Sequence, residues 1–420
     1  MVKDWVFHFC RNSLRLPLGS FVRKIHFDGL DKIPKDTPIL FAGNHPNSFL
    51  DGVVYQHMSG EIISTLTRGD VFLKPFQNYI FRSMRLLPIF RARDADSSIA
   101  RKGNADTMDE LFDRFKNSEK IHIFSEGSSY PEKAVRRLRK GTGHIAIEMA
   151  KRSDYSMNLL IIPTAVNYSK FGTLMQTIQV SFDDPIRVLD YKDAIQKDEK
   201  QAAEMITNQI QDYLDNSVVT TKGDHTEAKE FLQEMMINEH YQAFVYKSKN
   251  TWKSSISKLN KMNPDLADKV ILYKQSLIDD KVDDANVGGR SFDAISVFFA
   301  LFTLGISFPV YVTWWLMWKG IMSFVGTKIK NVIFKDSIAV GLGMVFSLFL
   351  VVLVGTLLSF FFSKVWTIIL LIFAVYGAIC WFRLVDLLPY FWNKITWVGL
   401  DINKKESLIQ KRKEIMRAVS

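Results

Sequence analysis

At 420 residues the chain is too long for one average domain. Its formal net charge of +10, with 47% hydrophobic and 13% aromatic residues, points to anionic partners such as lipid or phosphate groups. Its two cysteines, Cys10 and Cys380, stand near opposite ends, which excludes a disulfide framework or a cysteine-rich metal site and fits a reducing, cytosol-facing compartment. The averages conceal an asymmetry: residues 1–290 are charge-rich and 291–400 are nearly all apolar, so a lipid surface suits the basic charge better than nucleic acid does.

In chain order, residues 1–26 alternate Trp5, Phe7, Phe9, Leu14, Leu16, Leu18 and Phe21 with basic positions and show no small-residue cleavage site. That predicts one or two amphipathic helices in a bilayer interface, or an ordinary surface helix pair. Over 27–218 strand and helix signals alternate, the pattern of an α/β domain with a mostly parallel sheet flanked by helices. Strands are expected at Pro38–Ala42, Leu86–Phe90, Lys120–Phe124, Leu159–Ile162 (stopped by Pro163) and, at an edge, Gln179–Phe182. Helices are expected from about Ser48, through Ile99, Met108, Leu111, Phe112 and Phe115, over Arg136–Lys151, and over 195–217 as the closing helix.

Residues 219–290 read as a polar helical linker or lid, 291–400 as a C-terminal α-helical membrane region, and 401–420 as a basic tail. Within the membrane region, 337–382 reads as a hairpin around Lys364. Segment 294–318 reads as re-entrant, two half-length helices broken at Gly305–Pro309. Lys319, Lys328, Lys330 and Lys335 face one acid in 319–336, and the tail has six Lys or Arg against three acids, so both are expected on the cytoplasmic side.

Of eight histidines, His45 stands apart. It lies in Gly43-Asn44-His45-Pro46-Asn47-Ser48-Phe49-Leu50-Asp51, where a strand ends and a helix begins, and in α/β proteins ligands bind at such strand ends. With Asn47 or Ser48 as helix cap, Asp51 falls in or near the first turn and can fix the imidazole tautomer, leaving the other nitrogen to take a proton from an alcohol. The same residues also suit a loop histidine bonded to a capping aspartate. At a second strand end, Phe124-Ser125-Glu126-Gly127-Ser128-Ser129 offers a carboxyl at a tight turn. Beyond it Arg136, Arg137, Arg139 and Lys140 suit phosphate, a solvated surface or a membrane face. At a third, Ile89-Phe90-Arg91-Ala92-Arg93 delivers guanidinium groups suited to phosphate or to ion pairs with Asp94 or Asp96.

Together these segments, over roughly residues 36–185, resemble the phospholipid/glycerol acyltransferase family. Asn44-His45 with Asp51 is similar to its first block, Ile89-Phe90 with Arg93 to its second, Phe124-Ser125-Glu126-Gly127 to its third (usually Phe-Pro-Glu-Gly) and Ile161-Ile162-Pro163 to its fourth. Here five residues separate His45 and Asp51 where the family usually has four, Ser125 replaces the usual proline, and Ser129 stands where many members carry arginine. The longer His–Asp spacing, Arg93 followed by acidic residues, and the apolar C-terminal region look most like the glycerol-3-phosphate/dihydroxyacetone-phosphate branch, ahead of acylation of lysophosphatidate or another lysophospholipid. A lipid-binding scaffold without turnover is the alternative from another class.

The resemblance implies that His45, oriented by Asp51, is the general base for direct attack of an acceptor hydroxyl on a thioester. It implies acyl-CoA or acyl-carrier protein as co-substrate and requires no metal or other cofactor. Arg93 would hold the acceptor phosphate, with Asn44, Glu126, Gly127, Ser128, Arg137 and Lys140 shaping the acceptor site. The partners are then a lipid bilayer, the thioester donor and a glycerophosphate-type acceptor, with the catalytic domain facing the cytoplasm.

Overall fold

The computed structural model describes residues 4–56, 62–91, 96–240, 251–288 and 294–419. A single helix, α1 (Asp4–Phe21), contains Pro17 and runs directly into strand β1 (Val22–Asp28). There follow β2 (Ile39–Gly43), α2 (Phe49–Gln56), β3 (Ile63–Arg68), α3 (Pro75–Ser83), β4 (Leu86–Ile89), α4 (Ser97–Lys116), β5 (Lys120–Phe124) and α5 (Gly141–Arg152). Strands β6 (Leu160–Tyr168), β7 (Gln176–Phe182) and β8 (Ile186–Arg187) come next, then α6 (Lys192–Lys197) and α7 (Glu199–Ser217).

The strands form one sheet in the order β1-β7-β6-β2-β5-β3-β4, with β8 antiparallel on β6. Strand β2 pairs parallel with both β5 and β6, and β3 parallel with β5 and β4, so the sheet is mostly parallel and flanked by helices. A central parallel strand is covered on both faces, which explains the run Ile39-Leu40-Phe41-Ala42. On one face Leu40, Ile121 and Ile161 share a core with Leu111 and Phe115 of α4, Ile145 and Met149 of α5, and Ile206 and Ile210 of α7. On the other face Phe41 meets Phe182 edge-on, and Tyr55 of α2 lies over His122 of β5.

Two strand expectations change. Pro163 does not stop β6, which continues to Tyr168. Its carbonyl accepts from the N–H of Asp183, just past the end of β7, so the proline's missing donor faces the side of β7 and β8, between their ends, and leaves the β2 ladder intact. Strand β7 is not an edge, because β1 covers its outer side.

The chain divides into two compact units, Met1–Asn12 with His26–Asn167 and Gln179–Val218, and Ser13–Ile25 with Tyr168–Ile178 and Val219–Ser420. The second is helical: α8 (Thr226–His240), α9 (Thr251–Asn260), α10 (Pro264–Asp279), α11 (Asp284–Val287), α12 (Ala294–Phe302), α13 (Leu304–Lys328), α14 (Lys335–Ser359), α15 (Lys364–Gly399) and α16 (Ile402–Val419). The stretch read as a linker or lid and the basic tail come together here. Leu232 and Met236 of α8, Ile256 and Leu259 of α9, Val270 and Tyr273 of α10, and Leu408, Ile415 and Val419 of α16 share one core. Arg412 of α16 enters it with Nε 2.8 Å from Oδ1 of Asp284, which also accepts from the Tyr273 hydroxyl at 2.9 Å, while Asn238 reaches Oδ2. Both ions are nearly inaccessible, at 8% and 1% side-chain exposure, so each depends on the other for compensation.

Two helices, Val332–Ser359 and Lys364–Gly399, are long and apolar enough to cross a membrane, and the pair Ile295–Phe302 and Leu304–Lys328 is bent by 103°. The bend falls at Thr303, ahead of the expected Gly305–Pro309, and Pro309 lies inside α13. Thr303 hydrogen-bonds Phe299 and Ser307, and Gly377 of α15 comes so close that a methyl there would stand 2.3 Å from the threonine hydroxyl. Close approach of α15 therefore marks the break. The second half of α1 packs into the same unit, where Ser20 accepts from the Trp318 indole at 2.7 Å and Arg23 pairs with Asp386.

Candidate active site

The sheet register assembles the site. Gly43 is level with Phe124 of β5 and with Thr164 of β6, so the residues just past these parallel ends emerge side by side. Two steps beyond Gly43 the His45 N–H donates to Oε1 of Glu126, itself two steps beyond Phe124, at 3.1 Å. One step beyond Gly43, Asn44 accepts from the Val166 N–H at 2.8 Å and donates to its carbonyl at 3.0 Å. Asn44 is 1% exposed, and this pairing fastens the end of β2 to β6.

Between His45 and α2 the loop turns back through Ser48, whose φ of 48° is left-handed. Its N–H donates to Ser129 Oγ at 2.8 Å. Asp51, third residue of α2, reaches back to accept the Asn47 N–H at 2.8 Å. The same oxygen lies 2.9 Å from Nδ1 of His45. The longer His–Asp spacing is thus absorbed by the left-handed residue. A carboxylate only accepts, so this contact places the imidazole hydrogen on Nδ1 and leaves Nε2 with a free lone pair. Asp51 is fully buried, while the His45 side chain is 18% exposed. The imidazole stacks on Phe124 with centroids 3.8 Å apart and planes 12° from parallel, which fixes its rotation.

Glu126 is buried. Burial pushes its carboxyl up to about 7 against the opposing pull of the His45 N–H, and neighbouring Asp51 adds to the rise. Gly127 turns at φ 69° and its N–H closes the turn onto Phe124 O. Its carbonyl accepts from Ser128 Oγ and from Nη1 of Arg91, both at 2.8 Å. The Ser125 N–H donates to Gly43 O at 2.9 Å, a bond that a proline at this position could not make. Beneath the site, His122 is fully buried between Tyr55 and Phe124 and is held well below the ordinary imidazole range by burial and by His45.

The other expected acceptor residues fall differently. Lys140, at the start of α5, pairs with Glu204 of α7 at 2.8 Å on the exposed surface, beside exposed Arg137. Arg136 lies over the Tyr130 ring and bonds Glu132. Arg93 lies outside the described residues. Arg91 and Ser129, which the sequence placed in strand-end motifs without a role in the acceptor site, join the site, as does Thr142, which bonds Ser125 Oγ at 2.9 Å and carried no sequence signal.

Residues 24–167 match the family model described as Acyltransferase. A comparison with curated proteins finds no match. Among solved structures the chain is similar to the 1-acyl-sn-glycerophosphate (LPA) acyltransferase PlsC from Thermotoga maritima, with 13% identity and a TM-score of 0.33 over 48% of this chain and 78% of that one. The matched stretch, about a third of the chain, contains His45, Asp51 and Glu126.

Proposed function

We propose that the protein is a membrane-bound O-acyltransferase that moves a fatty acyl group from acyl-CoA or acyl-carrier protein to a hydroxyl of glycerol 3-phosphate, on the route to phosphatidic acid. The observation that carries this reading is the 2.9 Å contact of His45 Nδ1 with a wholly buried carboxylate already fixed by the Asn47 N–H. With Nδ1 so held, Nε2 takes the proton of the acceptor hydroxyl as its oxygen attacks the thioester carbonyl. The tetrahedral adduct then expels the thiolate, which recovers the proton from the imidazolium. No acyl-enzyme forms, and the chain's own contribution is a base of fixed tautomer and orientation. Arg93, through its motif position, is assigned to the acceptor phosphate. Helices α14 and α15 would hold the enzyme at the bilayer that receives the product.

The test is a labelled acyl donor offered to purified membranes with glycerol 3-phosphate, lysophosphatidate and lysophosphatidylethanolamine in parallel. Transfer to glycerol 3-phosphate that is lost in His45→Ala is expected. Transfer to a lysolipid alone would reassign the acceptor, and transfer to none would overturn the enzymatic reading.

A further inference from the structure

Asn104, on α4, holds the end of β4 as Asn44 holds the end of β2. Strand β4 is the last in the sheet, so the backbone just past it has no strand on its outer side. The Asn104 carboxamide takes that place. Its Oδ1 accepts from the Phe90 N–H at 2.8 Å and its Nδ2 donates to the Phe90 carbonyl at 2.9 Å. Thr107, almost one turn on, donates to Pro88 O at 2.7 Å. The Phe90 ring is gripped between two glycines: a methyl at Gly69 or at Gly103 would stand 2.4 Å from it.

The next residue is Arg91, whose Nη1 donates to the Gly127 carbonyl at 2.8 Å. Gly127 follows Glu126, whose carboxyl receives the His45 N–H. A continuous series of bonds therefore runs from α4 through the exit of β4 to the loop of the proposed base. Every link is a hydrogen bond of ordinary length on a backbone group, so the geometry at one end restrains the other.

We propose that Asn104 is a positioning residue: by fastening the exit of β4 it lets Arg91 hold the Gly127 turn, and with it the Glu126 carboxyl, against the backbone of His45. The kinetic part of this inference rests on the acyl transfer proposed above; the structural part does not.

Asn104→Asp is the sharp probe, because it keeps the volume and the acceptor but sets an oxygen against the Phe90 carbonyl. In the full-length enzyme, peptides spanning 125–130 should then exchange amide hydrogen faster, although none of them touches Asn104. The loss of kcat/KM should be about tenfold, the size of one good hydrogen bond. Asn104→Ala, which removes both bonds without repulsion, should show the same acceleration and a smaller loss. Combined with Arg91→Lys, Asn104→Asp should cost little beyond the larger single effect, since both break one series. Unchanged exchange at 125–130 in both Asn104 variants would overturn the proposal, as would fully additive losses. If the wild type acylates none of the acceptors offered, the functional reading falls, yet the exchange result still decides the clamp.

Discussion

The His45 N–H and the Glu126 carboxyl oxygen stand 3.1 Å apart because β2 and β5 end level with each other. This bond ties a titrating group to the loop of the proposed base. Burial raises Glu126 from 4.5 to about 7, so the folded state holds its proton more tightly than the unfolded one. Its contribution to stability is full below about pH 4.5 and is lost as pH rises through about 7, a change of about 3 kcal/mol. Glu126→Gln should flatten the dependence of the urea midpoint on pH across that window and leave the variant the more stable above it. An unaltered slope would contradict the assignment.

His45→Ala should lower turnover by at least about 100-fold, the lower end of what general-base catalysis contributes, with the fold intact by circular dichroism. Asp51→Asn should also be severe: the amide can donate to Nδ1 and so favour the wrong tautomer, and it weakens the Asn47 N–H bond. Activity above about a tenth of wild type in His45→Ala would remove His45 from the base role.

Lys140 is committed to Glu204 at the surface, so Lys140→Ala should leave the acceptor KM within about twofold, as exposed pairs contribute little. Arg93→Lys, which replaces a planar fork by a point charge, should raise the acceptor KM well above any effect on the donor KM. The opposite ranking would move the phosphate site to α5.

Arg412→Ala would leave Asp284 buried without its countercharge. A loss of about 3–5 kcal/mol is expected, seen as early proteolysis within 226–287 while the catalytic unit stays intact. Arg412→Met combined with Asp284→Asn should recover much of it. Equal stability of Arg412→Ala and wild type would show the pair to be dispensable.

The strands that place the site were legible in the sequence because they are short apolar runs ended by Gly43 or by Ser125-Glu126. Strands β1 and β3 were not, since Arg23, Lys24 and His26, or Ser64, Thr65 and Thr67, break the apolar signal, and their partners are distant in sequence. The placement of His45 beside Asp51 could be anticipated from helix geometry, but the left-handed Ser48 that permits it could not. Asn104 was invisible for another reason: its partner is backbone, so neither periodicity nor charge marks it. The core that joins α8–α10 to α16 was hidden because Leu408, Ile415 and Val419 are spread among Lys, Arg and Glu.

Since α16 is built into the core of α8–α10, the chain leaves that body after residue 288 and has rejoined it by Ile402. A chain that departs from and returns to one folded body must pass through any intervening bilayer an even number of times, whichever face that body occupies. If the apolar helices cross a bilayer, parity favours two passes, α14 and α15, over three, and the bent α12–α13 pair would then return to its own face. In a background lacking Cys10 and Cys380, Gln275→Cys and Lys413→Cys should react with an impermeant thiol reagent from the same side of sealed vesicles; reaction from opposite sides would contradict the count. On that reading the tail is a clasp that closes the apolar segment into a loop, and its docking would constrain the topology without reference to the charges flanking each helix.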